Sequence, residues 1–146
     1  MNRYLGIDYG EKRVGIAISD PTLIIAQPLK TVQNNSKKQV INEIQKIIQE
    51  QSVNKIVLGL PVTMKGTDSE KTKEVRLFAE NLAEDLHLPV YFIDERLTTL
   101  QAHLTLHQMG KKPSRNKEKV DQLAAQSILQ TFLDREKNRG YNEREK

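Results

Sequence analysis

A chain of 146 residues with 37% hydrophobic and 29% charged residues has the makeup of one soluble globular domain and is short for two. Its 23 basic residues against 19 acidic ones leave a net charge of +4, which permits a nucleic-acid partner without establishing one. No apolar run approaches the ~20 residues of a membrane span. The N-terminal MNRYLGIDYG lacks the apolar stretch of a signal peptide, and the absence of cysteine excludes disulfides, thiolate zinc sites and cysteine nucleophiles, so a cytoplasmic protein is expected.

The first elements read as strands. Tyr4 to Asp8 is a short apolar run ending in an acid, Gly10 opens a charged turn, and Val14 to Ser19 is a second run at hairpin spacing, which predicts an antiparallel pair. A third extended segment, Ile24 to Val32, carries Pro28 and suits an edge. The period then changes. Ser36 and Gln39 form a capping-box pattern ahead of Val40, Ile41, Ile44, Ile47 and Ile48 at helical spacing. Lys55 to Leu58 reads as a buried strand stopped by Gly59-Leu60-Pro61. Thr67 and Glu70 suggest a second capping box before the stripe Val75, Phe78, Ala79, Leu82, Ala83 and Leu86. Val90 to Ile93 is another buried strand, and two helices follow over Thr98–Gln108 and Lys117–Leu133. The polar stretch 136–146 is expected to be a flexible tail behind a single domain over 1–135. The order β-β-β-α-β-α-β-α-α predicts a three-layer α/β domain whose middle strands are parallel and whose opening is an antiparallel meander.

In such a sheet, ligands bind beyond the carboxyl ends of the parallel strands. Asp8 ends the first strand and Asp94-Glu95-Arg96 ends the last, so parallel neighbours would project Asp8 and Glu95 into one crevice. Two carboxylates meeting there repel unless a cation lies between them, and oxygen-only ligands favour Mg²⁺ or Mn²⁺ over zinc. Asp121, one turn into the last helix, sits at the margin of the stripe of Leu123, Ala124 and Ile128 expected to face the sheet, where the Ala124-Ala125 pair permits close approach. Singly, each acid also reads as a turn or helix-dipole residue; three converging from independent segments read as a site.

Four blocks, GIDYGEKRVGIAISD, GLPVTMKGTDSE, DERLTT and KEKVDQLAAQSIL, occur in an order and spacing that resemble the YqgF family, the Holliday-junction-resolvase-like proteins also described as pre-16S ribosomal RNA nucleases. The resemblance covers about residues 3 to 134. It implies a ribonuclease-H-like fold with a five-stranded mixed sheet whose second strand is antiparallel. It further implies a cytoplasmic metal-dependent nuclease in 5′-end maturation of precursor ribosomal RNA. Carried over by motif, the acidic site falls on Asp8, Glu95 and Asp121, the acids already singled out by position. Held by them, two Mg²⁺ or Mn²⁺ ions would serve phosphodiester hydrolysis.

The strongest binding signal is KKPSRNKEK, where Lys111, Lys112, Arg115, Lys117 and Lys119 face one acid, Glu118, and lead into the helix of Asp121. Lys12 and Arg13, in the turn after Asp8, are either phosphate contacts or solvated turn residues. Arg96 either pairs with Asp94 or reaches a phosphate. His103 and His107 have metal-ligand spacing but no third nitrogen or thiolate ligand, and read as packing or solvated residues. The seven aromatics do not cluster along the chain, so base stacking is not expected. Partners are therefore nucleic acid, either precursor ribosomal RNA or branched DNA, with no membrane and a monomer or weak homodimer. Two rivals remain: a nucleotide-binding, sugar-kinase-like module, for which the chain is too short to supply a second domain, and a non-catalytic nucleic-acid-binding domain, in which unused acids would repel the ligand.

Overall fold

The computed structural model describes residues 2–97 and 117–145. The expected helix over Thr98–Gln108, with His103 and His107, and the basic residues Lys111, Lys112 and Arg115 lie outside the described residues. Five strands, β1 (Arg3–Tyr9), β2 (Arg13–Ser19), β3 (Ala26–Gln33), β4 (Val53–Leu60) and β5 (Val90–Asp94), form one sheet in the order β3-β2-β1-β4-β5. β2 is antiparallel to both β1 and β3, whereas β1, β4 and β5 are parallel. Pro28 lies on the edge strand β3, beside a register shift at Ile16/Ala17, where its missing N–H costs the sheet least.

Alternation along the strands separates two cores. Leu5, Ile7, Val14, Ile16, Ile56 and Leu58 face one side and are covered by α1 (Lys37–Gln51) and α2 (Glu70–Leu86) through Val40, Ile44, Val75, Phe78 and Leu82. Tyr4, Ala17, Val57 and Ile93 face the other side and are covered by α3 (Lys117–Glu145) through Ala125, Ile128, Leu129 and Leu133. The α3 face of the sheet carries Gly6, Gly15 and Gly59 between these side chains, and an added Cβ at Gly6 would stand 2.7 Å from Leu129 Cβ. The helix backbone therefore rides close on the strands, and the glycines are what permit it.

Four expectations need correction. The α2 cap is Ser69, whose hydroxyl accepts the Thr72 N–H at 3.2 Å while Thr72 Oγ1 accepts the Ser69 N–H at 3.0 Å; Thr67 instead closes a turn with Thr63. Ala125, not Ala124, is the fully buried alanine that faces the sheet. Although dispersed in sequence, Tyr4, Tyr91 and Phe132 meet in space, with centroids 5.9 Å apart for Tyr4–Phe132 and 5.3 Å for Tyr91–Phe132. α3 also runs on beyond Leu133, passing residue 135, where composition alone places the start of a polar tail; Glu136 pairs with Lys55 of β4 at 3.1 Å. Among the described residues no helix is long and apolar enough to cross a membrane.

Candidate active site

Asp8 lies near the end of the central strand on the α3 face of the sheet, one strand from β4 and two from β5. The next residue, Tyr9, turns to the opposite face and stacks on Phe78 of α2 at 4.0 Å between centroids, which fixes the strand end. Beyond β5 the chain enters a single 3-10 turn, Glu95–Leu97, and Glu95 comes back over the sheet on the same face as Asp8. Their carboxyl groups meet: burial above all, then the charge and hydrogen bond of Glu95, push the Asp8 carboxyl well above the usual carboxylate range, against a small opposing pull from Lys71.

Glycine makes the meeting possible. A Cβ on Gly59 would lie 2.8 Å from Glu95 Oε1 and 2.9 Å from its Cγ, and closer still to Ile128 Cδ1. Sequence reading treats Gly59 as a strand stop, yet a glycine inside a strand pattern is itself the signal for close approach of another group. Gly59→Ala is expected to displace Glu95 from Asp8, cutting nuclease turnover by about tenfold or more while unfolding shifts by only about 1–3 kcal/mol. Parallel cleavage assays and thermal melts check this.

Asp121 stands near this pair but is differently engaged. Arg13 of β2 donates from Nε to Asp121 Oδ2 at 2.8 Å. The Asp121 carboxyl is raised by burial first and by the charges of Asp8 and Glu118, while Arg13 pulls it down. Its backbone is pressed onto β2, since a Cβ on Gly15 would lie 2.9 Å from Asp121 Cβ and closer still to its carbonyl. Among the described residues no three His, Asp or Glu side chains are gathered closely enough to hold one ion together. The structure thus joins Asp8 and Glu95 and leaves Asp121 one interaction away, behind Arg13.

The candidate phosphate contacts separate in the same way. Arg96 is engaged by Asp94, with Nε 2.9 Å from Oδ2, and donates from Nη1 to the Met64 carbonyl at 3.2 Å, so it ties the β4–α2 loop to the end of β5. Lys12 is exposed in the β1–β2 turn, whose Gly10 carbonyl accepts Asn34 Nδ2 at 2.8 Å. Lys117 is exposed on the first turn of α3 and Lys119 half-buried beside it. Lys71, which sequence patterning does not distinguish from other surface lysines, lines a groove of about 250 Å³ with Tyr9, Glu11, Glu74 and Val75, and its charge reaches Asp8.

Residues 2–135 match the RuvX family, described as Holliday junction resolvase. A protein of Chloroflexus aggregans assigned as a pre-16S rRNA nuclease is 41% identical over 134 residues, covering 92% of this chain and 94% of that one. A protein of Caldanaerobacter subterraneus with the same assignment is 45% identical over 138 residues, covering 93% and 99%. Among solved structures, T. thermophilus RuvC in complex with a Holliday junction substrate matches with a TM-score of 0.60 at 16% identity, covering 92% of this chain and 96% of that one. The fowlpox virus resolvase with Holliday junction DNA matches at 0.55 and 11% identity, covering 90% and 97%. At such identities the structural likeness carries the fold alone, which is ribonuclease-H-like, as the four motif blocks imply.

Proposed function

Because the chain belongs to the RuvX family of Holliday-junction-resolvase-like proteins, we propose that it is a divalent-metal-dependent nuclease of the cytoplasm that hydrolyses phosphodiester bonds in 5′-end maturation of pre-16S ribosomal RNA. The observation that supports this most is the meeting of Asp8 and Glu95 at the carboxyl edge of the parallel strands.

The donor set fits Mg²⁺ or Mn²⁺. Two carboxylates meet in one crevice, the Asp8 carboxyl is held above its ordinary range by burial first and by Glu95 second, and both present only oxygen. Asp8 and Glu95 would hold the ion or ions, and Asp121, paired with Arg13 here, would be the third carboxylate available to them. A divalent cation bound there supplies positive charge for the scissile phosphate and a water of lowered pKa. The protein does the rest. Asp8 and Glu95 must be ionised to act, Gly59 leaves the space in which Glu95 lies, and Lys71 offers an ammonium to the substrate backbone beside Asp8. Arg13, whose Nε is engaged by Asp121, offers a second contact, with Lys12, Lys117 and Lys119 on the same end of the molecule as β1's exit. For Lys111, Lys112 and Arg115 the proposal rests on the sequence.

Cleavage of branched DNA is the second reading, favoured by the family description. One experiment separates the two: incubation of the protein with pre-16S RNA and with a four-way DNA junction, each with and without Mg²⁺ or Mn²⁺. Metal-dependent cleavage confined to the RNA is expected. Cleavage of the junction alone assigns the second reading, and cleavage of neither in any metal refutes the nuclease.

A further inference from the structure

The far side of β5 carries a feature that hydrolysis at Asp8 and Glu95 does not use. β5 is the outer strand of the sheet, and its Tyr91 and Phe92 are 39% and 38% exposed, unusual for adjacent aromatics on a short strand. Tyr91 leans on Phe132 of α3, and the two line a groove of about 180 Å³ with Arg135 and Arg139; Phe92, its neighbour in the strand, turns to the α2 face, where Arg76 stands over its ring. Phe132, Arg135 and Arg139 are spaced three and four residues apart, so one face of α3 presents a ring and two guanidinium groups to the groove. The acid of the groove, Glu136, is already paired with Lys55, whose ammonium stands 5.4 Å from the Tyr91 ring centroid. Arg139 has no ion-pair partner among the described residues, and Arg135 has only the distant charge of Asp94. β5 then leads directly into Glu95.

We propose that this groove is a binding track for single-stranded nucleic acid, which delivers a strand from the β5 edge to the carboxylate pair; it rests on the nuclease reading and names the form of substrate that site receives. Exposed aromatic faces flanked by cations are what a single strand needs, because every base has a π-face to stack and every nucleotide a phosphate to neutralise. A duplex hides those faces. The main competing occupant is a second copy of this chain paired along β5, as an edge strand invites. Arg135 and Arg139 are exposed beside this edge, and the acid that lines the groove with them, Glu136, is already engaged by Lys55, so among the described residues the charge favours a polyanion.

The test is fluorescence anisotropy with a labelled 12-nucleotide oligouridylate and with a 12-base-pair duplex, in EDTA over a series of salt concentrations, so that no cleavage intervenes. Tyr91→Ala is expected to weaken single-strand binding about tenfold and duplex binding by less than twofold, with Tyr91→Phe near wild type. Arg135→Gln with Arg139→Gln, surface changes on α3 that leave the core intact, should reduce the salt slope on the single strand by roughly 0.7 for each phosphate no longer neutralised. Unchanged single-strand affinity in both variants overturns the track. So does a concentration-dependent dimer in gel filtration that Tyr91→Ala abolishes while affinity stays unchanged, which assigns the edge to self-association. Metal-dependent cleavage by the wild-type protein is scored separately, so loss of the track leaves the nuclease reading standing, and the reverse.

Discussion

Asp8→Asn is expected to cost nearly all cleavage and yet to give a more stable protein. The substitution keeps the shape and removes the charge that must be ionised to hold a cation, so turnover should fall roughly a thousandfold, about 4 kcal/mol of transition-state stabilisation. The stability gain follows from the raised Asp8 carboxyl. In the folded protein Asp8 keeps its proton to a higher pH than in the unfolded chain, so between the ordinary carboxylate range and the raised value the folded state binds more protons. Without metal, stability contributed by this group is present at low pH and is lost as pH rises through that interval. Asparagine has no proton to lose there. Thermal melts in EDTA should therefore show the variant melting several °C above wild type at pH 8, with the gap closing toward pH 4. Equal melting temperatures at pH 8, or cleavage near the wild-type rate, would remove Asp8 from the site.

Gly15→Ala should have the larger structural effect. Its Cβ would fall inside the backbone of Asp121, 2.9 Å from Asp121 Cβ and nearer to the carbonyl, and backbone yields less readily than a side-chain tip. Either α3 lifts from β2 or β2 bends. The overpacking should cost about 3 kcal/mol, near the upper end of such changes, or roughly 10 °C in melting temperature for a domain of this size. Any fraction that folds carries Asp121 displaced from Arg13 and Asp8, so Mg²⁺-supported cleavage should drop further than stability explains. Ala125→Leu acts at the same interface, since Ala125 is fully buried over Gly6. Ala124→Leu should be mild, because Ala124 is only half-buried. Denaturant melts of the three variants read side by side give the ranking.

Much of this arrangement was legible in the sequence, for identifiable reasons. Period-2 and period-3.6 runs placed all five strands and the described helices, and an acid closing each of two parallel strands put Asp8 and Glu95 in one crevice. What escaped depends on rotation and on partners distant in the chain. A pair such as Ala124-Ala125 cannot reveal which member faces a sheet, since adjacent helical positions lie about 100° apart. Arg13 and Asp121 are 108 residues apart, so nothing local announces that one occupies the other. Ser69 and Thr67 both fit a helix N-cap, and the buried Thr72, bonded to the Pro61 carbonyl, decides for Ser69. Aromatics scattered over Tyr4, Tyr91 and Phe132 converge only once β1, β5 and α3 are assembled.

The most direct test of the carboxylate pair is calorimetric titration of Mn²⁺ into the wild-type protein and into Asp8→Asn and Glu95→Gln, at pH 7.5 and without nucleic acid. Wild type should bind Mn²⁺, and each single substitution should weaken that binding at least tenfold, because each removes one of the two carboxylates that meet at the strand ends. Wild-type affinity retained in both variants would show that Asp8 and Glu95 do not hold a cation, and would contradict the site at its foundation.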